Sequence, residues 1–133
     1  LTGSEAAGAG LVALEFHDTE LNVRGGKSVI SRVLAGRAAP SALLCFSDVI
    51  ALGVYFGLAE AGKRIPQDMS VMGFDNLDWA VETGPPLTTI DLPAADMGRA
   101  AARQIIESLD GGTELQPQFL PAQIIERGSV LTV

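Results

Sequence analysis

Short apolar runs separated by helix-length segments constrain this chain more than any other feature. Leu11–Phe16, Ala42–Phe46 and Met69–Phe74 are apolar nearly throughout rather than at alternate positions. Strands of that kind are buried on both faces, the habit of a parallel sheet covered by helices. Leu87–Leu92 and Phe119–Glu126 add two more predicted strands. The expected fold class is therefore α/β, a parallel sheet flanked by helices. At 133 residues, the chain has the size of one domain with a sizeable core.

The intervening segments carry helix signals. Asn22 is placed to cap a helix with Val29, Ile30, Val33 and Leu34 on one face, ending at Gly36. Ser47-Asp48 offers oxygens to the unpaired amides of a helix running to Ala61, with Gly62 as its stop. That second helix is apolar all round, through Val49, Ile50, Leu52, Val54, Phe56 and Leu58, so it needs cover all round. A second layer of the same chain or a partner subunit can supply it. Pro93 suits the first turn of a third helix, which reaches Asp110 and stops at Gly111-Gly112. Ala94, Met97, Gly98, Ala101, Ile105 and Leu109 form its stripe of mostly small residues, opposite Arg99, Arg103 and Glu107.

Charge and motifs exclude several classes. The net charge is −7, which on average repels nucleic acid, so any DNA contact falls to another segment. No apolar run approaches the ~20 residues of a membrane span, and Leu1 opens no basic-then-apolar leader, so a cytoplasmic location is expected. Leu1-Thr2-Gly3-Ser4 lacks an initiator methionine, and a fragment is expected. Phosphate-binding glycine loops, a nucleophile elbow and metal-ligand clusters are all missing, so no cofactor or metal is expected. Cys45 reads as a small core side chain rather than a nucleophile. His17-Asp18 has no nucleophile beside it and reads as a surface loop, leaving an enzyme as the poorest reading.

What remains is a set of strand ends. Ligands of open parallel sheets gather outside the carboxyl ends of the strands. His17-Asp18, Ser47-Asp48 and Asp75-Asn76 occupy three such ends. Asp75 follows a buried strand and can accept charge-strengthened hydrogen bonds from ligand hydroxyls or amines. It can equally be a turn-forming aspartate bonded to its own backbone. Asp48 is already explained by its place at a helix start. Trp79 is placed either to stack on a ligand or to pack on its loop.

The order of residues resembles a known family. Pro40-Ser41-Ala42 through Phe46-Ser47-Asp48, then Ala51-Leu52-Gly53, is similar to a P-T-A…N-D-x-x-A-x-G segment. Gly62 through Pro66, Asp68-Met69-Ser70-Val71 and Gly73-Phe74-Asp75 resembles G…P-x-D-I-S-V-x-G-F-D. Pro85-Pro86-Leu87-Thr88-Thr89-Ile90, Met97-Gly98, Leu120-Pro121 and Arg127-Gly128-Ser129 follow in the same order. On these motifs, over roughly residues 20–130, the chain resembles the LacI/GalR family of bacterial transcriptional repressors.

That resemblance implies a helix-turn-helix head, absent here, and a two-lobed sensor of the periplasmic-binding-protein-like (type I) fold. Residues 1–90 and 119–133 would be part of its C-terminal lobe. Residues 91–118 would cross over and place their helix in the other lobe, leaving its docking in this piece open. Asp75 matches the family's effector-contacting aspartate, Ser47 a polar residue that is often asparagine, and Leu21 an aromatic that stacks on the effector. With Asp48 and Trp79 these make the candidate ligand set. A leucine offers no ring face and a serine reaches less far, so the site departs from a typical sugar site. Leu1-Thr2-Gly3 resembles the tail of the motif that carries the family's effector-gripping arginine. The segment around Val49, Leu52, Phe56 and Thr83 would lie at the interface of a homodimer. The implied function is effector sensing for a DNA-binding repressor, with a sugar-like small molecule as effector. The alternative on the same fold is the solute-binding component of a transporter.

Overall fold

The computed structural model describes residues 15–36, 40–109 and 115–131. The expected strand Leu11–Phe16 falls mostly outside the described residues, as do Leu1-Thr2-Gly3 and the Gly111-Gly112 stop. In chain order the elements are α1 (Val23–Ala35), β1 (Ala42–Leu44), α2 (Asp48–Glu60), β2 (Ser70–Met72), a 3-10 turn (Asp78–Val81), β3 (Thr89–Asp91), α3 (Ala94–Leu109) and β4 (Gln123–Ile125).

The helix starts form as their caps dictate. The Gly25 N–H donates to Asn22 Oδ1 (2.7 Å), and the Val49 N–H donates to Ser47 Oγ (3.2 Å), each filling an amide that the first turn leaves unpaired. Gly62 ends the second helix at φ +68°, a left-handed conformation open to glycine. Between β1 and β2, Arg64 donates from its backbone N–H and its Nε to Asp68 Oδ2 (2.8 and 3.0 Å). Those hydrogen bonds hold the Asp68 carboxyl down at about 2. Because the folded value is depressed, the pair helps the fold above the ordinary carboxylate range and loses its effect as pH falls through about 2. In an NMR titration, Arg64→Met should move the Asp68 midpoint up toward that ordinary range, and an unmoved midpoint would reject the pairing.

α1 and α2 lie backbone against backbone. A methyl on Gly53 would collide with Val23 O and fall 2.7 Å from Lys27 N, and one on Gly57 would fall 2.8 Å from Lys27 O. Close approach lets Val29, Ile30 and Val33 of α1 join Val54 and Leu58 of α2 in one buried cluster with Val71 and Leu87. Each such side chain contributes about 1.5–3 kcal/mol by leaving water. Much of the cover that α2 needs thus comes from α1. Val49 and Leu52 stay half-buried, and Phe56 is 49% exposed.

β1 and β2 pair in parallel, with Leu43 opposite Val71. The ladder continues on the far side of β2 through a parallel bridge from Met72 to Thr88. The apolar run of β1 predicts cover on both faces. Instead Cys45 is buried while Leu44 and Phe46 are exposed, because cover among the described residues lies on one side only. Burial pushes the Cys45 thiol up to about 12, well away from a reactive thiolate.

β3 and β4 pair antiparallel, Thr89 with Ile125 and Asp91 with Gln123, a ribbon that strand patterning does not reveal. Beyond that ribbon, α3 has no buried residue. Ile105, Ile106 and Leu109 of its apolar side are open to solvent.

The last described segment closes the body. Ser129 is fully buried, donates from Oγ to Val71 O (2.6 Å) and accepts from the Thr88 N–H (2.8 Å). Its carbonyl accepts from the Val71 N–H (2.8 Å). The Arg127-Gly128-Ser129 motif is therefore a staple between β2 and the run into β3.

Candidate functional site

Polar side chains meet just beyond the carboxyl ends of β1 and β2. Two residues past Gly73, Asp75 is still tied to the sheet, since its N–H donates to Ile90 O (2.9 Å). Its φ is +114°, uncommon for any residue but glycine and a cost of about 1–3 kcal/mol. The carboxylate is exposed, and Oδ2 accepts from Ser47 Oγ (3.0 Å). Asp75 is thus no turn-former bonded to its own backbone.

Ser47 is 5% exposed and fully engaged as a donor. Its one hydroxyl proton goes to Asp75 while its oxygen caps α2, so it serves chiefly to orient the carboxylate. The neighbouring Asp48 has no exposed surface at all. Oδ1 accepts from Thr89 Oγ1 (2.6 Å) and Oδ2 from the Leu77 N–H (2.8 Å). Both oxygens are occupied inside the protein, and a methyl on Gly73 would collide with Oδ1. The helix-start explanation for Asp48 is therefore incomplete. Its position in the first turn of α2 favours negative charge, and its oxygens lock β3 and the loop after Asp75 to that turn.

Leu21 is 73% exposed, immediately before the Asn22 cap of α1. Trp79 is half-buried in the 3-10 turn. Neither shares a hydrogen bond with the Ser47–Asp75 pair. Val49, Leu52 and Phe56 lie at helical spacing on α2, away from its buried residues. The half-buried Thr83 is held by its own hydroxyl, which donates to Ala80 O and Pro85 O (3.0 and 2.9 Å). Pro85 O also accepts from Tyr55 Oη (3.0 Å).

Sequence reasoning places Asn76 at a strand end and Arg127 in the closing motif but does not join them, and it passes over Asp91. Asn76, at φ +52°, accepts at Oδ1 from Arg127 Nη2 (2.7 Å) and donates from Nδ2 to Asp91 Oδ1 (3.3 Å). Arg127 also donates from Nη1 to Leu87 O (2.7 Å). The closing Arg-x-Ser motif is the available signal. Among the described residues no group of histidine, cysteine, aspartate and glutamate is arranged to hold a metal ion. A groove between α1 and α2, lined by Arg24, Lys27, Ser31 and Glu60, includes none of the strand-end residues.

The exposed Asp75 carboxylate thus stands at the strand ends of a parallel α/β sheet. A family model described as a periplasmic binding protein-like domain matches residues 3–130. The chain belongs to that family, in its LacI/GalR branch. It is 35% identical over 106 residues to a ribose operon repressor of Haemophilus influenzae, covering 77% of this chain and 32% of that protein. It is 39% identical over 95 residues to the HTH-type transcriptional repressor PurR of Vibrio atlanticus, covering 71% of this chain and 28% of the relative. A LacI family regulator from Enterococcus faecalis, solved with bound ribose, superposes with a TM-score of 0.77 at 38% identity over 85% of this chain and 42% of that one. A sugar-binding LacI family regulator from Escherichia coli, complexed with phosphate, gives a TM-score of 0.83 at 28% identity over 96% of this chain and 47% of that one. The chain thus spans about a third of the curated relatives it matches and under half of these solved chains. Those curated relatives are transcriptional repressors rather than enzymes. Among the described residues no helix is long and apolar enough to cross a membrane.

Proposed function

We propose that this chain is the effector-sensing and dimerising part of a LacI-type transcriptional repressor, and that it binds a sugar-like small molecule without catalysing a reaction. The observation that carries the reading is Asp75, an exposed carboxylate held at a strand end in a costly backbone conformation and oriented by Ser47. Strain of that kind persists where the surrounding structure enforces it, and it clusters at ligand sites. The repressor relatives favour this reading over a transporter's solute-binding protein.

In this scheme residues 1–90 and 119–133 form part of one lobe, and residues 91–118 cross to the other. The absence of any buried residue in α3 supports that division. The Val49, Leu52 and Phe56 stripe and Thr83 face a second copy. With a net charge of −7, DNA is met through a helix-turn-helix segment outside these residues. Leu21 and Trp79 flank the effector, while Asp48 supports the site from inside. The protein works in the cytoplasm, where effector binding shifts the population of lobe arrangements and so the spacing of the paired heads.

Calorimetry of the full-length protein with D-ribose, D-glucose and adenosine tests the reading. Asp75→Ala should weaken the best ligand by about tenfold or more, the scale of a lost hydrogen bond to a charged group. Unchanged affinity would remove Asp75 from the site.

A further inference from the structure

We propose that Asn76, clamped by Arg127, is a positioning residue for Asp75 and ties that carboxylate to Asp91 in the β3–β4 ribbon. The inference rests on Asp75 being an effector contact.

Among the described residues the Asp75 carboxylate has Ser47 as its only hydrogen-bonded protein partner, so its aim depends on the backbone that carries it. That backbone is left-handed at two successive residues, +114° at Asp75 and +52° at Asn76. On one side the Asp75 N–H is held by Ile90 O at 2.9 Å. On the other the Asn76 side chain is gripped at both ends. Arg127 Nη2 donates to Oδ1 at 2.7 Å, which fixes the amide's orientation and leaves Nδ2 to donate to Asp91 Oδ1 at 3.3 Å. Arg127 is itself anchored, through Nη1 to Leu87 O (2.7 Å) and its backbone N–H to Thr88 Oγ1 (2.9 Å). The Asn76 N–H donates to Thr89 Oγ1 (3.3 Å), whose proton goes to the buried Asp48. A ligand-facing group needs holding to about 0.5 Å, and this clamp supplies that hold from outside the residue.

The same amide reaches the ribbon. Asp91 is the last β3 residue paired with β4, opposite Gln123, and α3 begins three residues later. One side chain therefore joins the residue next to Asp75 to the strand that leads into α3.

Four variants of the full-length protein test the clamp by calorimetry with D-ribose, D-glucose and adenosine. Asn76→Gly tolerates the left-handed backbone and removes the side-chain bridge, at the cost of a freer main chain, a change the Asn76→Asp variants do not share. Asn76→Asp keeps the acceptor for Arg127 but sets a carboxylate against Asp91. Adding Asp91→Asn exchanges donor and acceptor and restores the bridge. Each Asn76 single variant should weaken the best ligand by about tenfold, and the double variant should return to within about threefold of wild type. Asp75→Ala is the fourth variant. If it weakens binding and Asn76→Gly does not, the positioning role is overturned and the site reading stands. If Asp75→Ala binds as wild type, or wild type binds none of the three compounds, both fall. An Asn76→Asp chain that is not rescued by Asp91→Asn, whether through poor binding or failure to fold, also overturns the bridge.

Discussion

An Asp48→Ala chain should lose about 3–5 kcal/mol of folding stability, visible as a large drop in urea midpoint. The residue is fully buried, and its removal leaves the Leu77 N–H and the Thr89 hydroxyl without their acceptor. Each buried donor left unsatisfied costs about 1–3 kcal/mol. Lost charge in the first turn of α2 adds a smaller penalty. Asp48→Asn separates these contributions. It can still accept from Thr89, but it turns an amide donor toward the Leu77 N–H, so an intermediate loss is expected. Against a total stability of about 5–15 kcal/mol, the alanine change threatens the fold itself. An unchanged urea midpoint would show that both donors find other partners.

Gly53→Ala should cost about 3 kcal/mol, the upper end of what overpacking a core does. The added methyl meets Val23 O and Lys27 N, backbone atoms that cannot rotate aside, so α1 and α2 must separate. Separation loosens Ile30 and Leu58 together, both of them fully buried. Gly98 is the matched control. It lies in exposed α3 with nothing within 4 Å of where an added methyl would stand, so Gly98→Ala should gain about 0.5–1 kcal/mol of local helix stability. Thermal melts of the two variants check both signs, and equal shifts would refute the close-packing account.

Much of this was legible in the order of residues because it depends on local chemistry. The Asn22 and Ser47 caps, the Gly62 stop and the strand leading to Asp75 each follow from neighbours a few positions away. Three features were not legible. The β3–β4 pairing joins strands separated by α3, and nothing in either strand's pattern specifies the partner. Asp48 looks sufficiently explained by a helix start, whereas its partners are 29 and 41 residues away. Asn76 reads as one half of a polar strand end, yet it is held by Arg127, 51 residues later. The strand ends therefore mark where polar side chains gather, while Asn76 and Arg127, which brace the Asp75 loop, meet across distant parts of the chain.

The Ser129 staple bears on how the protein is made. Its bond to Val71 spans 58 residues, so β2 leaves the ribosome long before the segment that completes its hydrogen bonding. At about 5–20 residues per second, that interval lasts about 3–12 s, during which the helix pair can form but the sheet stays unfinished. Synthesis order thus leaves the β2 edge incomplete until the Ser129 segment emerges.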